Sequence, residues 1–144
     1  MNREILFRGK PIDQKWWLEN FERFSSMEEW AIGNLIVSDG ECWIVGGIAD
    51  VDDEYIAHEW WVKIRPETVG QYTGMTDESK SKIFEGDLYR SNGGCIFEVV
   101  YLESEACFVG VPVDYPKEWT FLEDVAVMER VGNKWDNPEL LGVD

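Results

Sequence analysis

One segment decides the fold, beginning Gly70-Gln71-Tyr72-Thr73-Gly74-Met75-Thr76-Asp77 and ending Ile83-Phe84-Glu85-Gly86-Asp87-Leu88. The stretch from Gln71 to Ser81 has no regular apolar period, so we interpret it as irregular, with Gly74 supplying backbone freedom. Glu85-Gly86-Asp87 has the turn chemistry expected just before a strand. The segment therefore predicts a passage from one β region into a second.

Outward from this segment, short strand patterns and tight turns fill most of the chain. Ser38-Asp39-Gly40 and Asn92-Gly93 are hairpin signals between apolar runs. His58–Arg65 alternates, with Trp60, Val62 and Ile64 on one face and Trp61 and Lys63 on the other. Further strands are predicted over 3–8, 29–37, 41–46, 87–91, 95–101, 106–113 and 125–131. We predict a mainly β fold with antiparallel meanders.

One short helix is predicted near 15–24, where Trp17, Phe21 and Phe24 fall at helical spacing. Asp13 or Gln14 stands at the position of the N-terminal cap. The length of 144 residues suits one domain, 1–144. Within it we expect a β-rich part over 1–66 and a second part over 67–144.

Four segments together resemble the sequence pattern of the YopX family, small proteins of bacterial phages and prophages. They are the segment quoted above, Arg3–Lys10, Glu29–Ile36 and Val131–Leu141. The resemblance implies an SH3-like β-barrel in the C-terminal half. The helix near 15–24 departs from the family pattern as an insertion. The family has no assigned biochemical activity.

The residues that carry the resemblance are the candidate site residues, and we expect them to be structural. Gln71–Gly74 and Glu85–Asp87 should bring the two halves of the chain together, whereas Asn133, Asn137 and Pro138 should fix the tail by side-chain hydrogen bonds. Tyr72 should then be largely buried, with its hydroxyl hydrogen-bonded. The residues are Gln71, Tyr72, Thr73, Gly74, Asp77, Glu85, Gly86, Asp87, Gly132, Asn133, Asn137, Pro138 and Glu139.

Charge narrows the classes of partner. The chain has 29 acidic and 13 basic residues and a formal net charge of −16. Direct binding to nucleic acid or to an anionic membrane needs a surplus of Lys and Arg, so neither is expected. A strongly negative chain attracts basic proteins or cations, or simply stays soluble.

The cysteines and the lengths of the apolar runs indicate in which cellular compartment the protein is expected. Cys42, Cys95 and Cys107 form neither a disulfide framework nor a zinc motif, which suits a reducing cytoplasm. The sequence shows no apolar signal region and no run long enough to span a membrane. We expect a protein of the bacterial cytoplasm.

Motifs for catalysis are sparse. His58 is the single histidine, and no nucleophile or phosphate-loop motif is present. The acidic run Asp50–Glu54 offers oxygens for a hard cation but is typical of a solvated loop. Glu85 and Asp87 are the one carboxylate pair suited to acid–base chemistry, and turn formation explains them as well. We predict no catalytic residue, metal or cofactor.

The functional expectation is an accessory protein without enzymatic activity that acts by protein binding or self-assembly. Eight Trp residues supply aromatic surface of the kind enriched at interfaces, and we predict a homo-oligomer. Two alternatives remain: an acidic mimic of DNA that occupies a basic host protein, and an enzyme that uses Glu85 and Asp87.

Overall fold

The structure, a computed structural model, describes residues 2–20 and 29–142. The chain divides into two compact units, Met1–Gln71 and Tyr72–Asp144. Strands make up 47% of the described residues and helices 14%, and the antiparallel sheets include a curled half-barrel. The predicted mainly β class is confirmed, whereas the SH3-like character of the second half stays a prediction.

The first unit contains an antiparallel sheet and a separate hairpin. Its elements are β1 (Phe7–Gly9), α1 (Gln14–Asn20), β2 (Ala31–Ser38), β3 (Glu41–Val45), β4 (Ile48–Val51), β5 (Ile56–His58), β6 (Trp61–Ile64), a 3-10 helix (Pro66–Thr68) and the start of β7 (Gly70–Thr76). The sheet order is β6-β3-β2-β1, and β1 also pairs with β7, where Phe7 lies opposite Gln71. Among the strands of the described ranges, β4 and β5 pair only with each other.

The turn between β2 and β3 forms as predicted. Asp39 and Gly40 have φ angles of 53° and 78°. Two consecutive residues with positive φ match a type I′ turn, whose twist suits a two-residue hairpin. The turn sets the register, so that Ser38 pairs with Glu41 and Asn34 with Val45.

The core of the first unit forms where one face of the sheet packs on α1. Trp17 is fully buried, and its ring centroid lies 5.4 Å from that of Trp60. Ile44 and Ile64 are fully buried beside it. A Cβ at Gly9 would overlap the Ile64 side chain, so only glycine lets β1 pass at this distance.

The predicted helix is found as α1. The Asp13 carboxylate accepts a hydrogen bond of 2.9 Å from the Trp16 N–H, which is the expected cap. Positions 21–24 of the predicted helix lie outside the described residues. None of the helices within 2–20 and 29–142 is both long and apolar enough to cross a bilayer.

The predicted strand over 58–65 is interrupted. The Glu59 N–H donates to the Gly47 carbonyl at 2.7 Å, and the Trp60 carbonyl accepts from the Gly46 N–H at 2.9 Å. These two bonds span the break between the end of β5 at His58 and the start of β6 at Trp61. The alternation itself is confirmed, because Val62 is buried while Trp61 and Lys63 are exposed.

The second unit contains a five-stranded antiparallel sheet of order β12-β11-β10-β9-β13. Its elements are β8 (Lys82–Phe84), β9 (Asp87–Arg90), β10 (Ile96–Leu102), β11 (Cys107–Pro112), β12 (Thr120–Phe121), α2 (Leu122–Ala126), β13 (Glu129–Asn133) and a 3-10 helix (Pro138–Leu141). The end of β7 pairs with β8.

The prediction of irregular structure over 71–81 is wrong for 71–76, which belong to β7, and is confirmed for 77–81, which form a turn. The pairing of β7 with β8 shifts register between Tyr72 and Thr76. Gly74 lies at that shift with φ of 91°, and a Cβ added there would meet nothing within 4 Å beyond its chain neighbours. A bulge at Gly74 explains why the apolar residues do not alternate regularly although the strand continues.

The strand predicted over 125–131 is also wrong in its first half. Leu122 and Val125, three residues apart, are both buried on one side of α2. Strand β13 begins only at Glu129. A five-residue helix is too short for its period to stand out against strand propensity.

The hairpin between β9 and β10 is confirmed, with a different turn. Gly94 has φ of 85°, whereas Asn92 and Gly93 are not among the described residues with positive φ. The Ser91 N–H donates to the Cys95 carbonyl at 2.9 Å and closes the loop. A longer loop with its left-handed residue at Gly94 replaces the two-residue turn.

The core of the second unit lies between its strands and α2. Ile83, Tyr89, Val99 and Val125 are fully buried within it. Gly110 on β11 faces α2, and a Cβ there would overlap the Val125 side chain. The helix therefore packs directly on the backbone of β11.

Candidate functional site

Asp77 organises the first turn of the segment 70–88 that opens the sequence analysis, which we call the signature. Its side chain is 6% exposed. Oδ1 accepts the N–H groups of Ser79 and Ser81 at 2.9 and 3.0 Å, and Oδ2 accepts the Tyr89 hydroxyl at 2.9 Å. One carboxylate thus closes the turn and fixes it to β9.

Tyr89 is the buried partner in this contact. Burial raises the pKa of its hydroxyl strongly, and the hydrogen bond to Asp77 and the charge of Asp87 raise that pKa further. The Tyr89 side chain therefore keeps its proton and remains a donor to Asp77.

Asp87 closes the second turn of the signature and is fully buried. Its Oδ2 accepts the Phe84 N–H at 2.8 Å, and its Oδ1 accepts Nη2 of Arg130 at 3.2 Å. Gly86 makes the turn with φ of 90°, and Glu85 beside it is half-buried. The ion pair with Arg130 balances a carboxylate that has lost its water.

The signature residues of β7 pack against β8. Tyr72 is 8% exposed, as expected, and its ring centroid lies 5.6 Å from that of Phe84. The Thr73 hydroxyl donates to the Ile83 carbonyl at 2.8 Å. Gln71, the last residue of the first unit, is half-buried.

Asn133 fixes the closing segment of the resemblance. Its Oδ1 accepts the N–H groups of Trp135 and Asp136, both at 2.9 Å. Its Nδ2 donates to Oδ2 of Asp136 at 2.9 Å, and its own N–H donates to Oδ1 of Asn137 at 3.2 Å. The four bonds wrap the chain into a tight turn after β13.

Gly132 and the residues after Asn137 complete that turn. Gly132 has φ of 145°, and a Cβ there would overlap the Asn137 side chain. Pro138 and Glu139 begin the 3-10 helix, where proline at the first position loses no hydrogen bond. The Asn137 amide also donates to Oε1 of Glu139 at 3.4 Å.

These contacts bear on the acid–base hypothesis for Glu85 and Asp87. A general acid or base must come within hydrogen-bond reach of a bound molecule. Asp87 has no solvent-exposed surface, and both of its oxygens already accept hydrogen bonds within the fold. Packed turns of this kind favour a structural role for the pair over an enzymatic one.

A different surface stands out in the first unit, on the side of the sheet opposite Trp17. There Ile36 lies opposite Trp43, and Val45 lies opposite Trp61. Cross-strand neighbours share a face, so these four side chains form one apolar group. Trp61 is 64% exposed and Ile36 is 42% exposed.

His58 joins this group, and the five side chains line a shallow, open depression of about 310 Å³. We name this surface the outer apolar face; it consists of Ile36, Trp43, Val45, His58 and Trp61. Nδ1 of His58 is shielded from solvent, and no hydrogen-bond partner for it is found among the described residues. The histidine thus contributes ring surface to the face.

The β4–β5 hairpin carries further exposed apolar side chains next to His58. Ile48 lies opposite His58, and Val51 lies opposite Ile56. The three aliphatic side chains are between 55% and 58% exposed. A continuous exposed apolar surface of this kind is typical of an interaction site.

The acidic run lies at the tip of this hairpin and is only in part the loop that the sequence predicts. Asp50 and Val51 belong to β4. Oδ1 of Asp52 accepts the Glu54 and Tyr55 N–H groups at 2.8 and 3.0 Å. Among the described residues, no group of three or more His, Cys, Asp or Glu side chains is placed to hold a metal ion.

The three cysteines are separate from these sites. Each is free: Cys42 is buried, Cys95 is half-buried and Cys107 is exposed.

Comparison with known proteins identifies the family. A family model described as YopX protein matches residues 7–142, nearly the whole chain. The chain belongs to the YopX family. This confirms the resemblance stated from the sequence. A search of curated proteins finds no match to the chain.

Within this YopX-family chain, sequence reasoning found Asp77 and Asp87 but missed their partners Tyr89 and Arg130. Both partners lie on strands whose pairing no local motif encodes. Sequence reasoning did place Trp61 on the outward side of its strand. It did not bring Trp61 together with Ile36 and Trp43, because that requires the register of three strands.

Proposed function

We propose that this YopX-family chain is a phage or prophage accessory protein of the bacterial cytoplasm that binds a protein through the outer apolar face and catalyses no reaction. The observation that carries the proposal is the 64% exposure of Trp61 beside Trp43 and Ile36. Exposing a large aromatic side chain to water is unfavourable unless a partner covers it, and tryptophan is a leading contributor of interface energy.

The composition of the face favours a protein over a small molecule. Small-molecule sites are usually deep and hold a few convergent polar groups that fix the ligand. The depression is shallow, and its lining combines aliphatic groups with three aromatic rings. The exposed Ile48, Val51 and Ile56 widen the apolar surface beyond any single small ligand.

A second copy of the chain is the other protein that this face would suit, and the sequence predicts a homo-oligomer. An interface between copies should bury more than about 1,000 Å². Light scattering distinguishes the two occupants, since only self-association multiplies the mass of 16.7 kDa.

The test is photo-crosslinking in bacterial cells with a photoreactive amino acid at position 61. The matched control carries the same group at Tyr115, which is 62% exposed in the second unit. We expect a discrete crosslinked protein adduct from position 61 and none of comparable yield from position 115. The mass of the adduct reports whether the partner is a second copy.

Equal, diffuse labelling at both positions would contradict the proposal. The variant Trp61→Ala with the crosslinker at Ile36 adds a second measurement. We expect it to lose the adduct while keeping the circular dichroism of the unchanged protein, because Trp61 contributes little to the core.

A further inference from the structure

We infer that the partner of the outer apolar face is a protein segment that presents one large apolar side chain flanked by lysine or arginine. The inference rests on the proposed protein-binding function and names the chemistry of the partner. Two independent observations support it: the apolar centre of the face and the charge of the strands and loops that form it.

The centre of the face calls for an apolar anchor. Its depression of about 310 Å³ is lined by Ile36, Trp43, Val45, His58 and Trp61. An unpaired charge buried there would lose its hydration without gaining a partner. A large apolar or aromatic side chain gains area burial at no such cost.

The surroundings of the face call for positive charge. Residues 31–64, which form β2 to β6, contain seven carboxylates and one lysine, a far more acidic ratio than the 29 to 13 of the whole chain. The carboxylates belong to Asp39, Glu41, Asp50, Asp52, Asp53, Glu54 and Glu59. Complementary charge around an apolar centre speeds encounter and excludes wrong partners.

The single lysine does not reverse this field. Nζ of Lys63 lies 2.8 Å from Oε1 of Glu41 and 6.0 Å from the ring centroid of Trp43. Its charge is therefore balanced by the Glu41 carboxylate. A second copy docking by the same face would bring two acidic surroundings together, which argues for a basic partner instead.

The experiment uses a random peptide library displayed on a carrier, selected on the full-length protein after depletion on the Trp61→Ala variant. We expect enriched peptides with an apolar residue between lysines or arginines. Measured as synthetic peptides, these should bind Trp61→Ala at least about tenfold more weakly than the unchanged protein. Trp119→Ala is the matched control, because it removes a partly exposed tryptophan of the second unit, and it should bind normally.

Charge variants separate a local from a global effect. The variant Asp53→Asn/Glu54→Gln/Glu59→Gln neutralises three exposed carboxylates of the segment 31–64. The control Glu103→Gln/Glu105→Gln/Asp114→Asn makes the same change in net charge in the second unit. The association rate of the selected peptide should fall several-fold more in the first variant than in the control.

Three results would overturn the inference: enrichment of neutral or acidic peptides, no enrichment at all, or equal loss of rate in the two charge variants. A crosslinked adduct at position 61 with the mass of two chains would also overturn it. That last result would leave the proposed protein-binding function standing, whereas absence of any adduct would remove the function itself.

Discussion

At the scale of single residues, the sequence identifies the buried carboxylates but not the residues that pair with them. Asp87 belongs to a recognisable motif, but its ionic partner Arg130 lies 43 positions away. Arg130 reaches it because β13 pairs with β9 in a register that shifts between Arg130 and Gly132. A register that depends on a bulge cannot be predicted from local residue patterns. The sequence analysis therefore associated Asp87 with its neighbour Glu85 and not with Arg130.

Removal of the Arg130 charge should destabilise the second unit. In Arg130→Met the Asp87 carboxylate stays fully buried but loses its cation, while the aliphatic stem is kept. We expect a loss of about 2 kcal/mol in the free energy of unfolding, below the full cost of a buried pair because the Arg130 side chain is 36% exposed. Urea denaturation measures it. Arg90→Met, on the exposed end of β9, is the control, and an equal loss there would contradict the ion-pair explanation.

The Tyr89 hydroxyl should make stability fall at high pH. Its folded-state pKa is raised above the ordinary value of 10.0. Above that pH the unfolded chain releases the proton while the folded protein retains it, so the stabilisation present at neutral pH is lost as pH rises. The expected slope is about 1.4 kcal/mol in unfolding free energy per pH unit for this one group.

The variant Tyr89→Phe isolates that contribution. It should lose about 1–3 kcal/mol at neutral pH, because Asp77 loses a buried donor, and should show a shallower decline above pH 10. Tyr101→Phe removes a hydroxyl from a side chain that is 46% exposed and should keep the full decline. Identical pH profiles for the two variants would show that Tyr89 is not the group responsible.

At the scale of elements, alternation predicted the strands well and loop chemistry predicted their turns in part. The β2–β3 hairpin follows from Asp39-Gly40, since few other residue pairs accept two positive φ angles. Strand β7 was not predicted because the bulge at Gly74 interrupts the two-residue alternation that marks a strand. Helix α2 was missed because its identity depends on burying Leu122 and Val125 rather than on local propensity.

The positive φ at Gly86 should make that turn sensitive to substitution. Gly86→Ala places a Cβ on a backbone with φ of 90°, which L-residues rarely adopt, so we expect a loss of about 1 kcal/mol or more in unfolding free energy. Gly74→Ala tests the backbone alone, because φ is 91° but no neighbour lies within 4 Å. Gly93→Ala is the control, because Gly93 has no positive φ and an added Cβ would make only an ordinary contact of 3.9 Å with Ser91 Oγ, so it should be close to neutral in thermal denaturation. A comparable loss at Gly93 would refute the strain argument.

At the scale of the whole molecule, composition and family were accessible from the sequence, while the functional surface was not. The net charge and the family segments are sums over the chain or local strings, so they need no fold. The outer apolar face joins residues from four strands and exists only once their registers are set. The outer apolar face therefore cannot be predicted from the sequence alone.

The charge of the molecule should prevent binding to single- or double-stranded DNA at physiological salt. The net charge is −16, and two of the basic residues that would contact phosphate are ion-paired, Lys63 with Glu41 and Arg65 with Glu67. We expect no shift in a fluorescence anisotropy titration with labelled DNA. Sub-micromolar binding that weakens steeply with added salt would reveal a basic surface that the charge argument overlooks.

The close approach of α2 to β11 has an evolutionary consequence. Every replacement of Gly110 adds at least one carbon in the space that the fully buried Val125 side chain occupies. A mutation at position 110 that precedes any change at position 125 therefore produces a steric clash. Shrinking Val125 beforehand opens the path, at the cost of a small void. The two positions should therefore vary together. Among relatives with this fold, a residue with a side chain at position 110 should occur with a smaller residue at position 125. The mutation at position 125 should come first, because the reverse order passes through a destabilised protein.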